Sequence, residues 1–327
     1  MQYRPLGKSG IQVSEIGFGC GNVGGLMIRG ARSEQVRAVE RAIALGVTYF
    51  DTAASYGDGT SEQNLGAVLR ELRADVLVGT KLGLSPQDLE DGAKRVRDLF
   101  DQSLRRLGRS SVDLLYYHGR IREESSSGDR ALSVPQVLGP LLDVFREFQR
   151  SNRVHLLGFT GLGETPAIIK AIDSGVFDVL HCYFSAVNPS AGHPVPPSFA
   201  PQDMGRMIDR ATAAGMGVLA IRILAAGALA DTSERHPLAG GTGGALISGT
   251  DYASDVALAD RLRPISHELG ISLAEMAIRF VLSRPGIATS LVGVSSVDQI
   301  EFAVHAAENG PLSHETLDRI LAAAASR

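Results

Sequence analysis

Short apolar stretches alternate with longer amphipathic ones along almost the whole chain, and this alternation limits the fold more than any other feature. Extended runs fall at 16–19, 47–51, 75–80, 112–118, 154–160, 178–183, 217–222 and 289–294. Helical stretches lie between them, for example at 33–45, 61–72, 87–107, 135–150, 165–174 and 204–214. In the first of these Ser33 can cap the helix, Val36, Val39, Ala42 and Ile43 recur at helical spacing, and Arg37, Glu40 and Arg41 take the other face before Gly46 stops it. The extended runs are nearly continuous in apolar residues, as strands covered by helices require. Strands that alternate with helices pair in parallel. Eight rounds in about 280 residues, with no linker or shift in composition, predict a closed (β/α)8 TIM barrel spanning 1–327 as a single domain. Two extended pieces at 3–6 and 11–15, around a Gly-Lys-Ser-Gly turn, predict an N-terminal β-hairpin at the barrel bottom. A doubly wound open sheet is the alternative, but 17–21 read GFGCG, without the G-x-G-x-x-G spacing that opens such folds.

Three connections exceed a minimal strand-to-helix loop: 119–133, 185–202 and 225–254. All follow strands, so they belong to the C-terminal face, where barrels keep their chemistry. A net charge of −4 argues against nucleic acid or anionic lipid as a partner. The longest mostly apolar run, 215–230, is too short to span a bilayer and carries Arg222 near its middle. The start, MQYRPLGKSG, has no apolar signal core, and the two cysteines, Cys20 and Cys182, lack metal-ligand spacing. A cytoplasmic protein with packed, inert thiols is expected. Oligomeric state leaves no mark in the sequence.

Three consecutive strand ends deliver chemistry to one rim. The segment 46–66 reads GVTYFDTAASYGDGTSEQNLG, in which a strand ends in Asp51 and Tyr56 follows in a turn. The next strand ends in Thr80-Lys81 and the one after in His118. Only four of 32 basic residues are lysines (Lys8, Lys81, Lys94, Lys170), so a lysine ending an apolar strand stands out. Singly, each residue has an ordinary reading as helix cap, rim packing, snorkelling amine or satisfied polar group. Jointly they form a proton-transfer site. A phenol of pKa about 10 needs help to exchange its proton at neutral pH. A nearby ammonium favours the phenolate and lowers that pKa, and Asp51 can hold the ammonium in place. Tyr56 would then act as general acid or base, with His118 orienting the substrate oxygen. No side chain supplies a hydride, which points to a nicotinamide cofactor.

With 4–19 (RPLGKSGIQVSEIGFG), the FDTA…YG…SE…LG segment, the Thr80-Lys81 pair and the His118 strand end, the chain resembles the aldo-keto reductase family nearly end to end. The resemblance implies a catalytic tetrad of Asp51, Tyr56, Lys81 and His118, with NAD(P)(H) extended across the C-terminal face. Cofactor contacts depart from the family pattern. Thr160 and Gly161 stand where Ser-Asn is usual, and His181 where a Gln completes the carboxamide grip. Ile221 replaces an aromatic residue, and Arg222 behind it either faces the pyrophosphate or pairs with an acid on the rim. Leu224 and Gly227 are placed on the same wall. The last cofactor segment contributes Gly293, Ser295 and Gln299, and bears Asp298 and Glu301 where NADP-preferring members carry Lys or Arg. NAD(H) is therefore favoured over NADP(H), although Ser295, Ser296 and the helix N-terminus could cradle a phosphate.

The expected activity is interconversion of a carbonyl and an alcohol on a small molecule, by aldehyde or ketone reduction or by sugar or polyol oxidation. The chain has no Trp to wall a bulky aromatic pocket. Its loops offer Arg120, Arg122, Glu123, Glu124, Asp231, Glu234, Arg235 and His236 to a hydroxylated substrate. Two rivals stand beside this reading. A cofactor-sensing regulatory subunit would keep the same residues, since the resembled family includes channel-associated regulators. A metal-dependent hydrolase would use His118, His155 and His181 with Asp51, but His155 comes early in its strand and no H-x-H or H-E-x-x-H pair occurs.

Overall fold

Each of the eight apolar runs becomes a strand in the computed structural model, which describes residues 1–124, 130–232, 234–240 and 251–325. In chain order the strands are β1 (Tyr3–Pro5), β2 (Gln12–Ser14), β3 (Ile16–Gly19), β4 (Tyr49–Asp51), β5 (Leu77–Leu82), β6 (Val112–Tyr117), β7 (Arg120–Arg122), β8 (Leu132–Ser133), β9 (Val154–Thr160), β10 (Leu162–Gly163), β11 (Val179–Tyr183), β12 (Gly217–Ile221) and β13 (Ile287–Gly293). β3, β4, β5, β6, β9, β11, β12 and β13 close into a parallel barrel, with β13 pairing β3. β7 and β8 arise within the long 119–133 connection and form a small parallel sheet with β10, in which β7 pairs with β10 on one side and β8 on the other. Residues 125–129 of that connection, and 233 and 241–250 of the 225–254 connection, lie outside the described residues.

The apolar residues divide between two cores. One lies between barrel and helices, with Phe18, Val39, Leu65, Phe100, Phe148 and Ile278 among its buried members. The other fills the barrel itself, with Leu114, Leu156, Val179, Leu219 and Leu291. The β1–β2 hairpin closes the bottom of this inner core. Leu6 and Val13 are buried in it, the Lys8 amide donates to Gly215 O at 2.9 Å, and the Arg4 guanidinium reaches Ile287 O at 3.2 Å and Glu15 at 3.0 Å. Gly215 and Ile287 sit at the N-terminal ends of β12 and β13, so the predicted hairpin position is what forms.

The helices differ from the sequence expectation where glycine or proline intervenes. The 87–107 stretch breaks at Gly92 (φ 88) into Pro86–Glu90 and Ala93–Leu107. The 135–150 stretch opens into a wide turn at 137–141, because Pro140 has no N–H and Gly139 leaves helical geometry (φ −109, ψ −106). The 204–214 stretch starts only at Met207, after Gly205 and Arg206 adopt left-handed backbone. Helices Tyr252–Glu268, Leu273–Leu282, Val297–Glu308 and His314–Ala325 complete the shell. Among the described residues no helix is long and apolar enough to cross a membrane.

Gly7 shows how tightly the hairpin seats. Its φ is +57, and a Cβ there would come within 2.4 Å of Gly217 N. Gly10 has φ +79 but open space around it. Gly10→Ala should therefore lose about 1 kcal/mol from left-handed strain alone, whereas Gly7→Ala should lose about 3 kcal/mol or more through backbone collision. Urea unfolding of the two variants measures the difference, and equal losses would contradict this account of the hairpin.

Candidate active site

The four residues singled out in the sequence converge at the C-terminal mouth of the barrel. Asp51 ends β4, Lys81 lies near the end of β5, His118 follows β6, and Tyr56 sits in the turn after β4. Lys81 Nζ donates to Asp51 Oδ1, to Thr52 O at 2.7 Å and to the Tyr56 hydroxyl at 3.3 Å. The His118 ring stands edge-on to the Tyr56 ring, with centroids 5.7 Å apart, and its Nδ1 pairs with Ser55 Oγ at 3.3 Å. The neighbours of these residues are tied to helix Thr60–Leu72. Ser61 Oγ pairs with Thr52 Oγ1 at 2.8 Å and donates to Cys20 O at 2.9 Å. Thr80 Oγ1 donates to the buried Glu62 at 2.5 Å, and Glu62 in turn accepts from Arg106 Nε at 2.6 Å. The Ser61-Glu62 dipeptide thus anchors the backbone beside both Asp51 and Lys81.

Burial opposes charge throughout this cluster. It weighs against the Lys81 ammonium, yet the Asp51 carboxylate and Tyr56 outweigh it and hold the amine above its usual range. Burial also raises the Asp51 carboxyl, with Lys81 and Tyr49 pulling it back. For Tyr56 the expectation of a lowered phenol is reversed: burial raises it, and Lys81 offsets only part. The phenol holds its proton at neutral pH. Burial and the Lys81 charge push His118 down to about 3, so the imidazole is neutral. The thiol of Cys20 is buried and pushed up, which fits an inert packed cysteine.

A cavity of about 610 Å³ runs from these residues along the barrel rim to helix Val297–Glu308. Thr160, His181, Ile221, Arg222, Leu224, Gly227, Gly293, Ser295 and Gln299 line it. Gly161 does not; its amide instead donates to His181 O at 2.8 Å and joins β9 to β11. Thr160 Oγ1 and both His181 ring nitrogens are buried, with no hydrogen-bond partner among the described residues. His181 stacks on Tyr116 at 3.9 Å, and its Nε2 lies 3.4 Å from Asp51 Oδ2 without hydrogen-bond geometry. Burial lowers its pKa well below the usual histidine range and leaves it neutral. Arg222 takes left-handed backbone (φ 59) and hydrogen-bonds the Tyr183 phenol, which burial pushes up to about 12. Its charge also acts on Asp255, whose carboxyl burial raises to about 6, so the rim-acid reading of Arg222 has a physical counterpart. Ser295 Oγ donates to Gly24 O at 2.6 Å and its amide to Gln299 Oε1 at 2.8 Å, which ties the loop after β3 to the loop after β13.

Sequence reasoning missed part of this wall. Asn22 and Val23, after β3, and Ala274, Ile278 and Phe302, from two helices, also face the cavity. Phe302 is 40% exposed, an outlier that helical periodicity cannot signal. Of the polar loop residues, Glu234, Arg235 and His236 line the cavity, whereas Arg120 and Arg122 sit in β7, outside the lining. Asp231 caps Leu273 N at 2.7 Å, Glu123 pairs with Lys170, and Glu124 is exposed. The segment bearing Arg235 and His236 is clasped across the cavity. Gly240 N donates to Asn22 O at 3.0 Å, and the Arg29 guanidinium reaches Leu238 O and Asn22 O, each at 2.6 Å. His155 is exposed on β9, apart from His118 and His181, and among the described residues no group of three His, Cys, Asp or Glu is arranged to hold a metal.

The model of the Aldo/keto reductase family matches residues 15–325. The chain belongs to that family. Its similarity to L-galactose dehydrogenase of Arabidopsis thaliana is 28% identity, covering 98% of this chain and 93% of that one. A probable voltage-gated potassium channel subunit beta of the same plant is 27% identical over 95% of this chain and 93% of its own. L-glyceraldehyde 3-phosphate reductase of Escherichia coli O157:H7 is 26% identical over 98% and 91%. An aldo-keto reductase of Bacillus halodurans in its holo form shares the fold with a TM-score of 0.72, at 22% identity and over 100% of this chain and 97% of that one. Aldo-keto reductases are oxidoreductases that use NAD(P)(H), and both the fold and the family assignment agree with the sequence reading.

Two outcomes follow for this aldo-keto reductase. Arg29→Ala should speed hydrogen exchange at the Gly240 amide while global stability changes by about 1 kcal/mol at most, because the clasp is partly exposed. Unchanged exchange would show that the segment is held elsewhere. His118 gives a pH dependence with a definite sign. The unfolded chain binds a proton on this residue near 6.5 and the folded chain only near 3, so the unfolded state holds more protons between these values. Folding stability should fall as the pH drops from 6.5 towards about 3, with His181 acting in the same direction. Urea midpoints across this range should fall less steeply in His118→Gln.

Proposed function

We propose that this protein interconverts a carbonyl and an alcohol on a small polar molecule, with Tyr56 as general acid and base. The observation that carries this reading is the Tyr56 hydroxyl at 3.3 Å from Lys81 Nζ, on the lining of a cavity of about 610 Å³. In reduction Tyr56 gives its proton to the carbonyl oxygen. Lys81, held by Asp51 and Thr52 O, stabilises the phenolate left behind. In oxidation the same group accepts the alcohol proton. Neutral His118, with Nδ1 facing Ser55, can present Nε2–H to the substrate oxygen.

NAD(P)(H), when bound, supplies or takes up the hydride. The buried, unpartnered Thr160 hydroxyl and His181 nitrogens on the cavity wall suit a carboxamide, which offers both donors and an acceptor. At the far end, Phe302, Ala303, Ala274 and Ile278 suit an adenine ring. Segment 293–302 carries no Lys or Arg, and Arg41 near it is paired with Glu301 at 2.5 Å. This charge pattern favours NAD(H) over NADP(H).

Glu234, Arg235, His236, Ser55 and Asn22 give the open part of the cavity a polar wall that suits a hydroxylated substrate. The names of relatives acting on L-galactose and L-glyceraldehyde 3-phosphate lean the same way, towards a sugar or polyol. A cofactor-sensing subunit is the second reading, motivated by the relatives named as channel subunits. An activity panel crossing both cofactors, in both redox states, with sugars, aldehydes and ketones separates the two. We expect turnover with NAD(H) that falls about 10²-fold or more in Tyr56→Phe while cofactor affinity is kept. Undiminished turnover in that variant would sink the assignment, and tight cofactor binding with no turnover on any substrate would favour the sensing subunit.

A further inference from the structure

Directly beneath Asp51, the barrel interior holds two tyrosines where branched aliphatic residues would be the common filling. Tyr49 and Tyr116 are fully buried there. The Tyr49 hydroxyl lies 3.0 Å from Asp51 Oδ2 and 3.2 Å from the Tyr116 hydroxyl. Each phenol has one proton and an ionised carboxylate only accepts, so Tyr49 donates to Asp51 and Tyr116 must donate to Tyr49. Strand glycines make room for this arrangement. A Cβ on Gly79 would lie 2.0 Å from the Tyr49 hydroxyl, and one on Gly158 would lie 2.8 Å from the Tyr116 ring. The other face of Tyr116 is covered by the His181 ring at 3.9 Å.

We propose that Tyr49 is a positioning residue for the Asp51–Lys81 pair, its hydroxyl aimed by Tyr116, and that it keeps Asp51 ionised and turned towards Lys81. The proposal rests on the proton-transfer role given to this pair above. The groups that face Asp51 come from several strands: Lys81 from β5, Tyr116 from β6, His181 from β11, and Cys20 and Tyr56 from the loops after β3 and β4. His181 and Cys20 are uncharged, because burial lowers the imidazole and raises the thiol. Among the described residues, the side-chain hydrogen bonds of Asp51 come from Lys81 and Tyr49. Removing the Tyr49 donor therefore weakens the charged form of Asp51 and makes it protonate at higher pH.

The test uses Tyr49→Phe, which keeps the ring, and Tyr116→Phe, which removes only the second hydroxyl of the chain. The acid limb of kcat/KM should rise by about one pH unit in Tyr49→Phe, with kcat lowered about tenfold on that limb and KM little changed. Tyr116→Phe should move it the same way by less. Carbon-13 titration of the Asp51 carboxyl, assigned with Asp51→Asn, should rise in parallel, and it needs no turnover. Absence of turnover in the unaltered protein would therefore count against the proton-transfer role, while the carboxyl titration still decides on Tyr49. If Tyr49→Phe does not fold, Tyr116→Phe decides. Superimposable carboxyl titrations in the folded variants and the unaltered protein would overturn the proposal.

Discussion

The pairing of β13 with β3 closes the sheet, and everything at the mouth depends on that closure. Ser290 stands opposite Ile16 and Gly293 opposite Gly19, which fixes the register of the ring where its two ends meet. Around the ring the pairing continues through Gly19 with Asp51, Asp51 with Gly79 and Lys81 with Tyr116. Side chains alternate along a strand, so Tyr49 and Asp51 share the inner face of β4 while Gly79 and Lys81 share that of β5. A slip of one residue on either strand would turn its site group out towards the helices. The site is therefore a property of register as much as of composition.

The Asp51–Lys81 pair is a poor candidate for a stabilising device. Lys81 is 2% exposed, and removing two ions from water costs several kcal/mol each, which their attraction repays only with good additional hydrogen bonds. Those bonds come from Thr52 O, Tyr56 and Tyr49, and the Ser61 and Glu62 contacts hold the backbone that bears them. Much of the polar structure around the mouth thus serves to keep one buried pair charged. The same burial keeps Tyr56 protonated and His118 neutral at neutral pH.

The parts of this arrangement visible in the sequence are those set by local pattern. Strand order followed from the alternation, and strand ends revealed Asp51, Lys81 and His118, because a polar residue that ends an apolar run needs no long-range information to be noticed. Helix breaks at Gly92 and Pro140 were hidden by apolar spacing that continues across them. Tyr49 and Tyr116 carry no local signal, since the feature that distinguishes them is a contact between strands. The direction for Tyr56 was misjudged because a neighbouring ammonium can be inferred from sequence but the depth of burial cannot. Phe302 and Asn22 reach the cavity through helix and loop placement, which no periodicity encodes.

The N-terminal hairpin decides where protons can travel. Leu6 and Val13 stopper the bottom of the barrel, and Leu114, Leu156 and Leu219 fill the space above them with hydrocarbon. Among the described residues, the hydrogen bonds of Tyr116, Tyr49 and Asp51 therefore lead upward to the mouth, where Asp51, Lys81 and Tyr56 line the cavity. The polar thread is a blind alley. Whatever occupies the mouth governs how quickly its protons exchange with bulk water.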